Sequence, residues 1–201
     1  MMKKISILLV LMASTATAGS AEETIKLASL DRDYSLLKKS RAMTPTVKET
    51  YEYYEIKGIF QQDLQSQLRQ NGVRWSDGKT YDSLTSWHIL WDYGYDRTTT
   101  ACSVDSFQAT VEVTFRYPKW VMTEDAPLPL VEKWQGYLQN LIRHEQGHRD
   151  MAVEVAHELS RAVAALPPAH TCADLDQEVR AISCVFMKKL NTDQKEYDSA
   201  T

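Results

Sequence analysis

Between Val131 and Leu166 apolar residues recur at alternating steps of three and four: Val131, Trp134, Leu138, Leu141, then Ala152, Val155, Leu159, Ala162 and Leu166. Only an α-helix gathers such positions onto one face. Pro127 and Pro129 stand before the run and Pro167-Pro168 after it, where proline is tolerated at a helix start and ends a helix that it follows. A stripe this long needs a second layer to cover it, so the chain must build a sheet or further helices along one helix. The same count passes through Glu145 and His148, the only polar members of the stripe. A carboxylate and an imidazole on a buried face are costly unless they are paired or bound to a metal.

Those two residues belong to His144-Glu145-Gln146-Gly147-His148, which has the form HExxH. On a helix, imidazoles four residues apart lie about 40° apart around the axis, so both can reach one ion while the glutamate stands beside them. Zinc suits this arrangement, because it takes nitrogen and oxygen ligands and, in catalytic sites, keeps one position for water. The expected roles are His144 and His148 as metal ligands and Glu145 as the general base. Gly147 costs helix stability, and a bare position between the histidines allows a strand or the substrate to approach closely.

HExxH supplies two ligands, and a catalytic zinc normally has three from the protein. Asp150, Glu154 and His157 lie about 180° to 240° around the helix from His148, so an unbroken helix points them away. Glu178, His88 and Asp198 remain as candidates, with His170 behind them, and the spacing does not choose. His88 could also donate to an oxyanion, and Tyr93, Tyr95 and Tyr197 could do so or fill the core.

The N-terminus has Lys3 and Lys4, an apolar run from Ile5 to Met12, and Ala16-Thr17-Ala18, the pattern of a cleavable signal peptide over residues 1–18. A polar lead-in over 19–48 and one domain over 49–201 follow, and the expected location is periplasmic or secreted. No later run approaches the roughly 20 apolar residues of a membrane span. The formal net charge of −4 offers no electrostatic case for nucleic acid or anionic lipid. An exported chain can hold a disulfide. If residues 173–190 are helical, Cys172 and Cys184 stand roughly 18 Å apart and cannot bridge each other. Cys102 is then one partner, and we expect Cys172 to be the other because it just precedes the helix.

Residues 51–58 read as a first strand, 59–70 as a helix stopped at Asn71-Gly72, and Asp77-Gly78 as a turn. Leu84 to Tyr95 and Phe107 to Tyr117 read as an antiparallel strand pair joined by the polar stretch 96–106. A final helix runs from about Cys172 to Lys189, with a polar tail beyond. The expected class is α+β: a small antiparallel sheet packed against the long HExxH helix and a second C-terminal helix, the outline of a compact zincin. Its edge strand could hold an extended peptide by backbone pairing.

Several features in order, namely Tyr53-Tyr54 with Gly58, Thr85 and Trp87 leading to Tyr93, Cys102, Trp120, Trp134 with Tyr137, His144-Glu145 to His148, Cys172 with Leu175, and Tyr197-Asp198, span residues 51–201. In these the chain resembles a family of predicted secreted zinc-dependent proteases of bacteria, catalogued as a domain of unknown function. In that family the Tyr-Asp pair is often followed by a threonine and a His-Gly pair; the present sequence ends at Thr201. The resemblance implies a zincin-like fold, a zinc cofactor and a peptide or protein substrate. The function expected is an exported zinc metallopeptidase; the alternative is a non-catalytic envelope module that keeps the fold, with or without a structural metal, and binds a partner protein.

Overall fold

The computed structural model describes residues 3–5 and 44–200. The elements are β1 (Lys3–Ile5), β2 (Thr46–Ile56), α1 (Gln61–Asn71), β3 (Val73–Arg74), β4 (Thr80–Tyr81), β5 (Leu84–Arg97), β6 (Cys102–Trp120), α2 (Leu128–Ala164) and α3 (Cys172–Ala200). Apart from β1, the expected signal peptide lies outside the described residues, as does the lead-in up to residue 43. Thr46 to Lys48, expected in the lead-in, belong to β2. No helix of the described residues is long and apolar enough to cross a membrane.

Four strands form one sheet in the order β1-β5-β6-β2, and β3 pairs with β4 in a separate hairpin. That hairpin turns at Gly78, whose φ of 82° is the left-handed conformation glycine adopts without strain. β5 and β6 are antiparallel from Leu84↔Arg116 to Arg97↔Cys102. The strands are longer than expected and the connection between them shorter, because Cys102 to Ser106 extend the ladder across a bulge between Gly94 and Tyr95. β2 joins the other side of β6 in parallel, from Thr46↔Thr110 to Ile56↔Trp120. The sheet is therefore mixed where a purely antiparallel one was expected, since a strand separated from its partner by a helix and three further strands is free to enter in either direction.

On β6 the alternation works as the sequence implies: Phe107, Ala109, Val111, Val113, Phe115 and Tyr117 are all buried on the helix side of the sheet. They meet Ile89, Trp91 and Tyr93 of β5 and Ala152, Val155, Ala156, Leu159 and Val163 of α2, with Val179 and Leu190 of α3. Burying each large side chain contributes about 1.5–3 kcal/mol, so this layer is the main source of stability. Ser160 and Ser183 are buried as well, each donating its hydroxyl to the carbonyl four residues earlier, Ala156 and Val179 respectively. A smaller cluster, Ile56, Leu64, Leu68, Trp120 and Leu130, joins α1 and the start of α2 to the end of the sheet.

α2 is a single helix of 37 residues, roughly 55 Å long. α3 is longer than expected: residues 191–200 continue it as helix and are not a separate tail. Its first residue is tied to the sheet by the Cys102–Cys172 disulfide. Mutual hydrogen bonds of 2.8 Å between the backbones of Cys102 and Ala169 reinforce the tie. Cys184 is a free, exposed thiol on α3.

Candidate metal centre

The extra turns of α3 bring three side chains onto the HExxH segment of α2. Gln194 is buried and uses both ends of its amide on one residue: its Nε2 donates to the backbone oxygen of His148 at 2.9 Å, and its Oε1 contacts His148 Nδ1. An amide oxygen can only accept, so Nδ1 of His148 carries the hydrogen and the neutral ring keeps its lone pair on Nε2. Tyr197 lies flat on His144, ring centres 5.0 Å apart at 18°, and edge-on to His148 at 5.1 Å. A Cβ at position 147 would stand 2.6 Å from Tyr197 Cζ, so the glycine is what lets this ring reach the helix.

Asp198 follows Tyr197 and completes the group. Its Oδ1 lies 2.8 Å from His148 Nε2 and 3.3 Å from His144 Nε2, and the two Nε2 atoms are 3.2 Å apart. A neutral His148 thus aims a lone pair at a carboxylate and at a second ring nitrogen. Electron-rich atoms this close need a cation among them, either a proton on a ring or a metal ion. Ligand atoms around a tetrahedral ion with bonds of about 2.0–2.1 Å stand about 3.3–3.4 Å apart, so the three separations fit a metal with only slight expansion. Among the described residues, His144, His148 and Asp198 are the group of His, Cys, Asp or Glu side chains close enough to hold an ion together. The group is open on one side, with 10 % of the His148 side chain exposed against 28 % for His144 and 59 % for Asp198.

Glu145 points towards the sheet and is buried. The Ser83 hydroxyl donates to its Oε1 at 2.6 Å and the Thr85 hydroxyl to its Oε2 at 2.6 Å. A carboxylate has about four lone-pair sites, so two remain after these bonds. Burial first, and then the charge of Glu145, hold the Tyr117 phenol above its ordinary pKa. Tyr81, at the end of β4, donates its hydroxyl to Asp77 Oδ2 at 2.6 Å. Its phenol is raised mainly by its hydrogen bond to Asp77, then by desolvation and the Asp77 charge, and least by the charge of Asp198.

Of the three candidates for a further ligand, the structure brings only Asp198 to the histidines. Glu178 is exposed near the start of α3, far along the helix from His144. His88 is exposed and pairs across the strands with Glu112, on the face of the sheet turned away from α2. His170 is exposed in the loop before α3. Tyr93 and Tyr95 both donate to the Asp176 carboxylate, Tyr93 at 2.7 Å, so they serve the sheet's contact with α3 and stand away from the histidines. Gln194, Ser83 and the role of Gly147 as a seat for Tyr197 were not anticipated. One signal was present for the first: the three-and-four spacing of Leu175, Val179, Ser183 and Leu190 continues through Gln194 and Tyr197.

Comparison with known proteins finds no similar curated protein and no similar solved structure. A family model described as a bacterial protein of unknown function (DUF922) matches residues 51–201, which takes in every element from the middle of β2 to the end of α3 and the whole ligand group. The chain belongs to the DUF922 family.

Proposed function

We propose that this domain is an exported zinc metallopeptidase that hydrolyses peptide bonds, with His144, His148 and Asp198 as metal ligands and Glu145 as the general base. The observation that carries this reading is the convergence of three donor atoms within 3.3 Å, one of them fixed in its tautomer by Gln194. An outer partner of this kind orients a ligating imidazole and makes it a better donor. Zinc, when bound, lowers the pKa of water towards about 7 and polarises a carbonyl. Glu145 takes up the proton released as water attacks and passes it to the departing amine; Ser83 and Thr85 hold its carboxylate in place while leaving lone pairs for that proton. From Leu84 to Leu90, β5 pairs only with β6 among the described residues, so its outer edge can hydrogen-bond an extended substrate beside the ligand group. The disulfide is in keeping with an oxidising compartment.

The test is metal analysis of the purified protein together with hydrolysis of a peptide mixture. About one zinc per chain and cleavage that Glu145→Gln abolishes while zinc is retained are expected; an active Glu145→Gln protein would remove Glu145 from the chemistry. A second reading, a non-catalytic envelope module with a structural metal, draws on the two hydroxyls that already occupy Glu145. It predicts no turnover of any peptide and a stability that falls when a chelator is added.

A further inference from the structure

A cavity of about 290 Å³ opens between α1 and the first three turns of α2, lined by Leu64, Leu68, Leu130, Trp134 and Tyr137 together with Asp82. Its place on α2 connects it to the ligand group. Counting 100° per residue, Leu130, Lys133, Trp134 and Tyr137 all lie within about 80° of His144 around the helix, and Tyr137 is about 10 Å from it along the axis. A second cavity, of about 310 Å³, shares Trp134 with the first but is otherwise lined on α2 by Leu138, Ile142 and Gln146, which turn progressively to the opposite side of the helix. The first cavity therefore continues the face that carries His144 and His148, and the second does not.

The strand junction makes the same connection. In consecutive residues, Asp82 lines the cavity and Ser83 anchors Glu145. Two polar atoms of Asp82 have partners: Tyr137 donates to its Oδ2, and Tyr54 donates to its carbonyl at 2.7 Å. What remains available to an occupant is apolar and aromatic surface. The mouth is marked by Gln61, Gln65 and Lys133, all exposed, with Lys133 Nζ 3.4 Å from Gln61 Oε1.

We infer that this cavity is a subsite for a bulky apolar side chain, phenylalanine, leucine or tryptophan, of an extended peptide whose backbone crosses the ligand group. The inference rests on the metallopeptidase reading for its orientation. At about 3.3 Å per residue, an extended chain covers the roughly 10 to 15 Å between His144 and the cavity in about three to five residues. A volume near 300 Å³ is at the lower end of small-ligand sites, which suits one side chain and not a whole ligand.

The experiment uses blocked alanine-rich octapeptides that carry a single phenylalanine at each position in turn, titrated into the zinc-loaded Glu145→Gln protein with the methyl groups of Leu64 and Leu130 followed by NMR. At least one phenylalanine peptide is expected to bind about tenfold or more tighter than the all-alanine parent, as burial of one aromatic ring implies, and to shift those methyl resonances. Gln65→Trp, an exposed substitution that places a ring over the mouth, is expected to erase the difference with zinc content and circular dichroism unchanged. Equal affinity for all peptides, or shifts confined to residues elsewhere, would overturn the subsite. With the unsubstituted protein, cleavage about three to five residues from the phenylalanine supports the inference, and cleavage indifferent to its position overturns it while leaving the peptidase standing. Phenylalanine-dependent binding with no cleavage of any peptide retires the peptidase reading and retains the cavity as a peptide side-chain site.

Discussion

β5 and the residue before it send hydroxyl groups to two carboxylates, one near each end, and the two clusters differ in what surrounds them. Near the C-terminal end Tyr93 and Tyr95 donate to Asp176 of α3, beside a disulfide and a two-way backbone bridge that fix the start of that helix covalently. At the N-terminal end Ser83 and Thr85 donate to Glu145 of α2, and there the far end of α3 is held by Gln194, Tyr197 and Asp198 without any covalent tie. Each carboxylate is satisfied by two hydroxyls, yet only the second cluster adjoins donor atoms that face one another and need a cation. The same means of docking a helix on a strand thus serves stability at one end and a site at the other. The two ends of α3 lie roughly 40 Å apart along its axis, far enough for their effects to add independently.

Removing the covalent end should have the largest effect. Cys102→Ser with Cys172→Ser is expected to lower stability by about 2–5 kcal/mol, measured by denaturant unfolding, while added zinc still raises the melting temperature; loss of the zinc response would show that the ends are coupled. Asp198→Ala should leave most of the stability and reduce metal affinity by at least about 100-fold, beyond the usual effect of an outer partner, read by competition with a chromophoric chelator. Unchanged affinity would break the comparison by removing α3 from the ligand set. Gln194→Leu strips His148 of the group that fixes its tautomer, and a loss of about 10- to 100-fold in metal affinity is expected in the same titration. For Gly147→Ala, helix propensity favours alanine by about 1 kcal/mol, while Tyr197 must move away from the new Cβ. The expected outcome is little net change in melting temperature and a severalfold weaker metal affinity, and a variant that binds metal as before would show that the seat of Tyr197 does not matter to the site.

The smallest effect concerns pH. The Tyr51 hydroxyl first, and Arg149 second, hold the Glu49 carboxyl below the ordinary glutamate value of 4.5. A pKa depressed by folding contributes stability above the unfolded value and loses it as pH falls through the folded one. Glu49→Gln should therefore lower stability slightly near neutrality, where the ionised group contributes, and flatten the decline below about pH 4.5, so that the unfolding curves of the two proteins converge in acid.

What could be read in the sequence follows the range over which each signal acts. The stripe of α2 is local and repeats over many turns, so both the helix and the singular position of Glu145 and His148 were legible. The buried face of β6 was legible for the same reason, while for the disulfide reach excluded a Cys172–Cys184 bridge and the place of Cys172 just before a helix favoured it as the partner of Cys102. Asp198 stood among three candidates because Asn191, Thr192 and Asp193 interrupt the apolar character of α3 even though its period continues through Leu190, Gln194 and Tyr197. The hydroxyls on Glu145 come from positions 62 and 60 residues away, and nothing local to Ser83 or Thr85 announces such a contact. The direction in which β2 enters the sheet was hidden likewise, since alternation sets a strand's faces and leaves its neighbour open.

The parallel pairing of β2 has a consequence for the order in which the chain assembles. β5 and β6 close on each other across residues 98–101, whereas β2 meets β6 at a constant separation of 64 residues. Closing the longer loop costs about 2 kcal/mol more in chain entropy, so the hairpin is expected to form early and β2 to add late. Truncations at Val113 should then slow folding, and those at Ile56 should chiefly speed unfolding. Synthesis runs in the opposite sense, for β2 leaves the ribosome before β6 exists, and its eleven residues must wait unpaired for the strand that completes them.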